Sequence, residues 1–563
     1  MANVGLEILK PNIVRTIKIR LAIVTLNNSC TIEKNLLFET TNSPVVETNT
    51  GSVRGSVLES RLGKLFFAFR GIRYAKPPIG NLRFKAPENI EPWSEIFDAT
   101  KDGPRCPQPT DANEASDVSE DCLRLNIYTS ELPKTIRPIK KPVIFYIHPG
   151  GFYAVSGQSK NYAGPQNLMD RNIVLVTINY RLGVLGFLST NSSDAPGNAG
   201  LKDQVMALKW IKSNIIKFGG DPRIITILGY SAGAFSTTLH LVSPMSRGLF
   251  HRAIIMSGSS ILPKKTQSDQ IELAKRQARV VNCPETPLNA MMACLQVVPA
   301  QLLGNSVSNM FDFINNPIWL WQPVVEPNFG QERFLTHEPV ELFQAGKFMK
   351  IPIMSGITKD EFAGPALYIL KNETLSQLME NEWEKLAPIC FHYEQGTQNS
   401  KFISQALKEK YIGGSLKGLD SLKKLNELFS DSVIIFPVYR FIHLASKYTR
   451  VYNYKFVYKG RYSHLYYPNN SPYGVVHHDD LLYLFVAPKV APMFTELDPE
   501  NIMVERMTRI ISNFALYGDP NNPLDPILKD IKWRQNNIKL KKTSYLEINV
   551  NMSMKENDFN IKN

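Results

Sequence analysis

Residues 224–233 read IITILGYSAG. An apolar, β-branched run leads straight into Gly229-Tyr230-Ser231-Ala232-Gly233, and the AFSTTLHLV that follows has helical character. A serine between a strand and a helix sits on a sharp turn that lifts its hydroxyl clear of a sheet. Glycines two residues to either side let neighbouring backbone pass without a Cβ clash, and the helix N-terminus behind the turn favours developing negative charge. The spacing therefore makes Ser231 a candidate nucleophile.

A second apolar run, VIFYI, ends in His148-Pro149-Gly150-Gly151-Phe152. An acyl-transfer intermediate needs backbone N–H donors aimed at its oxyanion. Gly150 and Gly151 are candidate donors, with Ala232 a third. Pro149 has no N–H to give, so a register requiring a donor at 149 would damage the hole.

Serine is a weak nucleophile until a base takes its proton, and the base needs an acid to fix its tautomer. In a strand–turn–helix setting of this kind the chain order is serine, acid, histidine. Five histidines lie well downstream, His392, His443, His464, His477 and His478. His443 falls in a helical FIHLAS and His464 among tyrosines in a loop. His477 and His478 lie between Tyr473-Gly474 and DDLLYLF, a loop entering a helix, and the residues alone do not choose between them. For the acid, the apolar stretch 351–357 ends in Thr358-Lys359-Asp360-Glu361, which leaves Asp360 and Glu361 both open.

Elements must hold these groups in place. The runs Val143–Ile147, Ile173–Ile178, Ile224–Leu228 and Val451–Val457 read as buried strands. Leu201 to Ile216 has the 3–4 spacing of an amphipathic helix. Strands alternating with helices imply a mostly parallel twisted sheet covered by helices on both faces. From Pro44 onward no linker, low-complexity tract or repeat interrupts the chain. The expected organisation is a poorly structured lead over 1–43, one large domain over 44–547 and a polar tail over 548–563.

The whole chain has 563 residues, 43% hydrophobic and 20% charged, which excludes wholesale disorder, collagen and coiled coil. No apolar run approaches the roughly 20 residues of a membrane span. The net charge of +13 is spread thinly, with small clusters such as Lys539, Lys541 and Lys542, and no basic block interleaves with aromatics. The excess reads as a solvated surface, and no nucleic-acid partner is expected. Residues 11–26 mix apolar residues with Arg15, Lys18 and Arg20, which leaves less than the about 7–15 apolar residues of a secretory signal. Five sequons, at Asn27, Asn191, Asn372, Asn469 and Asn551, fit a secreted chain.

Of six cysteines, Cys106 with Cys122 and Cys283 with Cys294 stand out as local pairs, leaving Cys30 and Cys390 over. A disulfide closing a loop of about 15 residues contributes about 3 kcal/mol in the chain-entropy model. Neither pair has the spacing of a zinc site, so no metal is expected.

Several longer strings carry a likeness: AFRGIRYAKPPIGNLRF, SEDCLRLNIY, NYRLGVLGFLS, GNAGLKDQVMALKWI, HRAIIMSGS and GVVHHDDLLYLF. Together with the two motifs above they resemble the type-B carboxylesterases and cholinesterases, an α/β-hydrolase family, and most of all insect carboxylesterases. The likeness runs from PVVETNTGSVRG near residue 44 to about residue 547.

The resemblance implies that GITKDE is the acid motif, with Glu361 the acid, and that GVVHHDD carries the base at His477. His478 falls where the family usually has a small residue. Ser257, in MSGS, matches a serine that supports the acid. The pairs Cys106–Cys122 and Cys283–Cys294 match family disulfides, which implies an oxidising, extracellular setting.

Several further positions depart from the family pattern. Tyr230 stands where Glu is usual, Pro149 replaces a glycine, Arg124 replaces a tyrosine, and Lys264 stands where many relatives carry an acyl-pocket tryptophan. Trp319 and Trp321 fall where the family places acyl-pocket aromatics. With Tyr230, Phe152 and Lys264 they form the expected substrate pocket. No tryptophan lies between Cys106 and Cys122, so a quaternary ammonium has no platform there. GYSAG also differs from the GQSAG associated with juvenile-hormone esterases.

The implied activity is serine carboxylic-ester hydrolysis on small to medium apolar esters, with no metal or organic cofactor. A juvenile-hormone-type esterase and a catalytically silent adhesion protein of the same fold are the alternatives. The silent relatives typically lack a triad member, and all three members are present here. Oligomeric state is not read from the sequence.

Overall fold

The computed structural model describes residues 43–133, 140–522, 524–528, 530–536 and 543–557. The lead apart from Ser43, Cys30, Asn27 and the lysines at 539, 541 and 542 lie outside the described residues.

Eleven strands form one sheet. In chain order they are β1 (Ser56–Glu59), β2 (Leu65–Arg73), β3 (Arg124–Thr129), β4 (Lys141–Ile147), β5 (Val174–Ile178), β6 (Gly220–Tyr230), β7 (Arg252–Met256), β8 (Ile353–Thr358), β9 (Val451–Phe456), β10 (Thr543–Ile548) and β11 (Ser553–Asn557). Their spatial order is β11-β10-β9-β8-β7-β6-β4-β5-β3-β2-β1. The run from β10 to β5 is parallel and both edges are antiparallel. The four strands expected from apolar runs are all present, and the expected helix is α1 (Ala199–Asn214).

The polar tail expected from 548 needs correction. Ser553–Asn557 returns antiparallel to β10 as the edge strand, because an edge strand needs only one partner and can carry polar residues on its open side.

Both faces of the sheet are covered. Alternation along β4 sends Val143, Phe145 and Ile147 into one apolar cluster and Ile144 and Tyr146 into the other. Helices α1 and α2 (Ala232–Val242) contribute to the first cluster, and α3 (Asn501–Tyr517) to the second. Each fully buried Val, Ile or Leu contributes roughly 1.5–3 kcal/mol, so a strand buried on both faces must be apolar throughout.

The chain leaves β4 to lay down β5 on one side, then crosses back to place β6 on the other. Strand order thus reverses between β4 and β6, and the crevice beyond the carboxyl ends of two such strands is where open α/β sheets bind ligands. Ile147 of β4 is in register with Gly229 of β6. The His148-Pro149-Gly150-Gly151 loop and Ser231 therefore emerge side by side.

Cys106–Cys122 and Cys283–Cys294 are both bonded. Cys390 is a buried free thiol.

Candidate active site

Ser231 has φ 54° and ψ −114°, a sparsely populated conformation held by its surroundings. Its N–H donates to the carbonyl of Met256 on β7 at 2.9 Å, and its carbonyl accepts the N–H of Phe235, one turn into α2, at 2.8 Å. The flanking glycines are required by contact. A Cβ on Gly229 would stand 2.0 Å from the carbonyl oxygen of Gly233, and one on Gly233 would stand 2.0 Å from that of Ile147.

Gly150 and Gly151 both have positive φ, 112° and 60°. The carbonyl of Gly150 accepts the N–H groups of Tyr153 and Ala154, each at 2.9 Å, which curls the loop. Among the described residues the N–H groups of Gly150, Gly151 and Ala232 donate no turn, loop or cap hydrogen bond. His148, ahead of this loop, stacks on Tyr180, and burial pushes its imidazole down to about 4.

The two carboxylates at the end of β8 separate cleanly. Glu361 is fully buried. One of its oxygens accepts the N–H of Thr358 at 2.9 Å and the other meets Nδ1 of His477 at 2.5 Å. Asp360 faces elsewhere and accepts the N–H of Val475 at 2.9 Å, while its own N–H donates to the Val475 carbonyl. The two histidines separate as well. His477 reaches Glu361, whereas the His478 ring packs against it at a tilt, with centroids 4.2 Å apart. His443 lies on the helix Phe436–Ala445 and His464 pairs with Asp479, so neither enters the site.

His477 Nε2 is buried without a hydrogen-bond partner and is not bonded to the Ser231 hydroxyl. Candidate base and candidate nucleophile nonetheless belong to one cluster, because Tyr230, immediately before the serine, packs edge-on against the His477 ring with centroids 5.2 Å apart. Phe362 closes another side at 4.5 Å. Phe362 and Asp480 escaped the sequence reading. DDL sat inside a recognised string, but nothing in a row of letters tells which aspartate is buried.

Asp480 is fully buried and accepts the Tyr454 hydroxyl at 3.2 Å. Burial, then the charge of Glu361, raises its carboxyl to about 7.

The expected pocket residues fare differently. Tyr230 is wholly buried behind the site, and its phenol oxygen accepts the His478 N–H at 2.8 Å. Burial, then Asp480 and Glu361, keep that phenol well above its ordinary range.

Phe152, Phe235 and Trp319 pack together, with Trp319 5.9 Å from Phe152 and 5.4 Å from Phe235. Trp321 is fully buried beside Gly183. Lys264 is half-buried in the loop beyond β7. It lies near enough to the buried His392, which neighbours Trp319, to add to the effect of burial in lowering that imidazole to about 3.

Ser257, expected to support the acid, has φ 53° and a buried hydroxyl with no hydrogen-bond partner, although it lies close enough to the Tyr230 phenol to favour its ionised form. Arg124, in the place of a tyrosine, pairs with Asp121 at 2.5 Å and donates to the Gly71 carbonyl at 3.0 Å. It is a structural tie between β3 and β2. No group of three or more His, Cys, Asp or Glu suited to a metal occurs among the described residues.

A serine on a strained strand-to-helix turn, at the reversal point of a mostly parallel sheet and beside a buried histidine–carboxylate pair, defines an α/β-hydrolase. The chain belongs to the carboxylesterase family, whose model matches residues 42–562, and is a carboxylic-ester hydrolase. Juvenile hormone esterase of Tribolium castaneum is 38% identical, over 86% of this chain and 85% of that protein. Esterase FE4 of Myzus persicae is 35% identical, over 88% and 90%. The crystal structure of juvenile hormone esterase from Manduca sexta, with OTFP covalently attached, superposes with a TM-score of 0.78 at 30% identity, covering 92% of this chain and 96% of that one.

Proposed function

We propose that Ser231, His477 and Glu361 form the catalytic triad, and that the N–H groups of Gly150, Gly151 and Ala232 form the oxyanion hole. The observation that carries this reading is the 2.5 Å contact between Glu361 and His477 Nδ1. It orients the ring with Nε2 as the nitrogen left to act. Ester binding brings the Ser231 hydroxyl and Nε2 into line, since catalytic hydrogen bonds often tighten only in the substrate complex.

The hydroxyl oxygen then attacks the ester carbonyl while Nε2 takes its proton. Glu361 stabilises the imidazolium and the three N–H groups hold the oxyanion. Collapse expels the alcohol, which leaves with the proton from Nε2. Water, deprotonated by the same nitrogen, attacks the acyl-enzyme and releases the acid and free Ser231.

The substrates are small to medium apolar esters, a reading supported by the apolar grouping of Phe152, Phe235 and Trp319 beside the nucleophile. A second reading, hydrolysis of a juvenile-hormone-type ester, is favoured by the two juvenile hormone esterases among the relatives. Secretion is supported by the two disulfides and by the exposure of Asn191, Asn372, Asn469 and Asn551, each the acceptor of a sequon.

The test is Ser231→Ala, with hydrolysis of short aryl esters and labelling by an organophosphate as readouts. Loss of turnover and of one-to-one labelling is expected, and activity equal to the parent would reject the triad. Turnover of juvenile hormone against the aryl esters separates the two substrate readings.

A further inference from the structure

His477 is followed by a second imidazole held in an uncommon way. His478 has φ 81°, a backbone conformation that side-chain-bearing residues rarely adopt. One hydrogen bond and three ring contacts hold it there. Its N–H donates to the Tyr230 phenol oxygen at 2.8 Å, and its ring lies 4.2 Å from that of His477, 5.0 Å from that of Tyr230 and 5.4 Å from that of His464. His464 is in turn fixed by Asp479, which accepts both its N–H at 2.9 Å and its Nδ1 at 3.1 Å. Three imidazoles thus run in edge and tilted contact from the His464–Asp479 hydrogen bond inward to the proposed base.

The His477 ring has Glu361 at Nδ1, Phe362 at 4.5 Å, Tyr230 at 5.2 Å and His478 at 4.2 Å. Glu361 fixes one atom of the ring. A single hydrogen bond still allows the imidazole to tilt about it, and the packed rings oppose that tilt. Of these, Tyr230 and His478 come from distant parts of the chain and are hydrogen-bonded to each other, and the join runs through the backbone of the residue next to the base.

We infer that His478 is a positioning residue for His477, and that it acts as one unit with Tyr230, whose phenol oxygen holds the His478 backbone while both rings wall the base. The inference rests on the reading of His477 as the base. A positioning wall must not compete for the proton. Burial, then the neighbouring His477 and His464, keep the His478 imidazole well below its ordinary range, so it stays neutral. The same unit gives a physical role to two residues that depart from the family pattern. A phenol in place of a carboxylate at 230 supplies an uncharged acceptor, and the imidazole at 478 supplies the surface it holds.

The experiment is a double-mutant cycle of His478→Gly and Tyr230→Phe on the full chain, with kcat, KM and the rate of serine phosphonylation by an uncharged phosphonate measured for each. Glycine suits the backbone at φ 81°, and unchanged melting temperature checks the fold. His478→Gly should lower kcat and the phosphonylation rate by about tenfold or more, in parallel, with KM within about twofold, since small misplacement of a reacting group costs up to about 10². Tyr230→Phe keeps the ring and loses the acceptor, so a smaller fall of the same kind is expected. The double variant should be no worse than His478→Gly alone.

Parent-like kcat in His478→Gly, a rise in KM with kcat intact, or losses that multiply in the double variant would overturn the inference. If His478→Gly does not fold, Tyr230→Phe is judged by the same split between kcat and KM. His477→Ala separates the two readings. Retained turnover there removes the base assignment itself, whereas lost turnover there with a parent-like His478→Gly removes only the positioning role.

Discussion

Asp360 accepts the N–H of Val475 at 2.9 Å, two residues before His477, while its neighbour Glu361 meets the His477 ring at 2.5 Å. Adjacent carboxylates thus divide the work, one holding the loop that carries the imidazole and the other holding the imidazole itself. A Cβ on Gly474 would stand 2.4 Å from the Asp360 carboxylate, so the loop is drawn close against it.

That division has a kinetic consequence. Glu361→Gln should lower kcat by on the order of 10³–10⁴, because the amide no longer fixes the reactive tautomer. Asp360→Asn keeps the shape and weakens one hydrogen bond to charge, worth about 1.5–3 kcal/mol. Its effect should fall mainly on stability, with kcat reduced by about tenfold or less. Steady-state kinetics with thermal melts on both variants checks the contrast.

Gly151→Ala tests the oxyanion loop. A Cβ there would stand 2.5 Å from the Tyr153 ring and 3.1 Å from the Ile318 carbonyl at φ 60°, so the loop must shift and its N–H with it. A fall in kcat of about 10²–10³ is expected, the cost of losing one donor. The serine should still be labelled by organophosphate, more slowly, when titrated to completion.

The aromatic grouping beside α2 should set acyl preference. Trp319→Ala removes the ring that packs on both Phe152 and Phe235. A destabilisation of about 3–5 kcal/mol is expected, together with a shift of the kcat/KM optimum toward longer acyl chains. Lys264→Met should improve kcat/KM for apolar acyl groups at little cost in stability, as the residue is only half-buried. An acyl-length series of aryl esters, measured on both variants, reads these effects.

Stability should fall on acidification. His148 and His240 are buried, and burial lowers them to about 4 and about 3. Their unfolded forms take up a proton below about 6.5, before the folded forms do. Between there and about 4 the unfolded state binds more protons, so stability drops as pH drops, by ~1.4 kcal/mol per unit of displacement.

Asp480, raised to about 7, acts with the opposite sign. Between about 4 and 7 the folded state holds the extra proton, so this group favours folding at low pH and penalises it above 7. Asp480→Asn should therefore raise the melting temperature at pH 8 and leave it nearly unchanged near pH 4. Melts of parent and variant across that range decide it.

Much of the fold could be read along the chain. The four apolar runs became β4, β5, β6 and β9 because strands buried on both faces must be continuously apolar, and that signal is local. Polar edge strands give no such signal, and β11 was read as tail. The strained turn at Ser231 is visible because glycine spacing and a strand-to-helix change fall within ten residues.

The tie between Asp360 and Glu361, and that between His477 and His478, could not be broken by local pattern, since each pair shares one environment in the chain. The family likeness named one member of each. Tyr230 precedes the serine in the chain, yet successive residues of a strand point to opposite faces. The alternation sends its ring into the cluster behind the sheet.

The sequence by itself determined the strands, the strained turn and the residue types able to form a nucleophile, a base and an acid, because these depend on short-range spacing and on burial of apolar runs. Only the tertiary structure decided which carboxylate meets which imidazole, and that the phenol at 230 holds the backbone at 478. Those choices join residues more than a hundred positions apart, and their partners are fixed by where β6, β8 and the loop at 474–478 end in space.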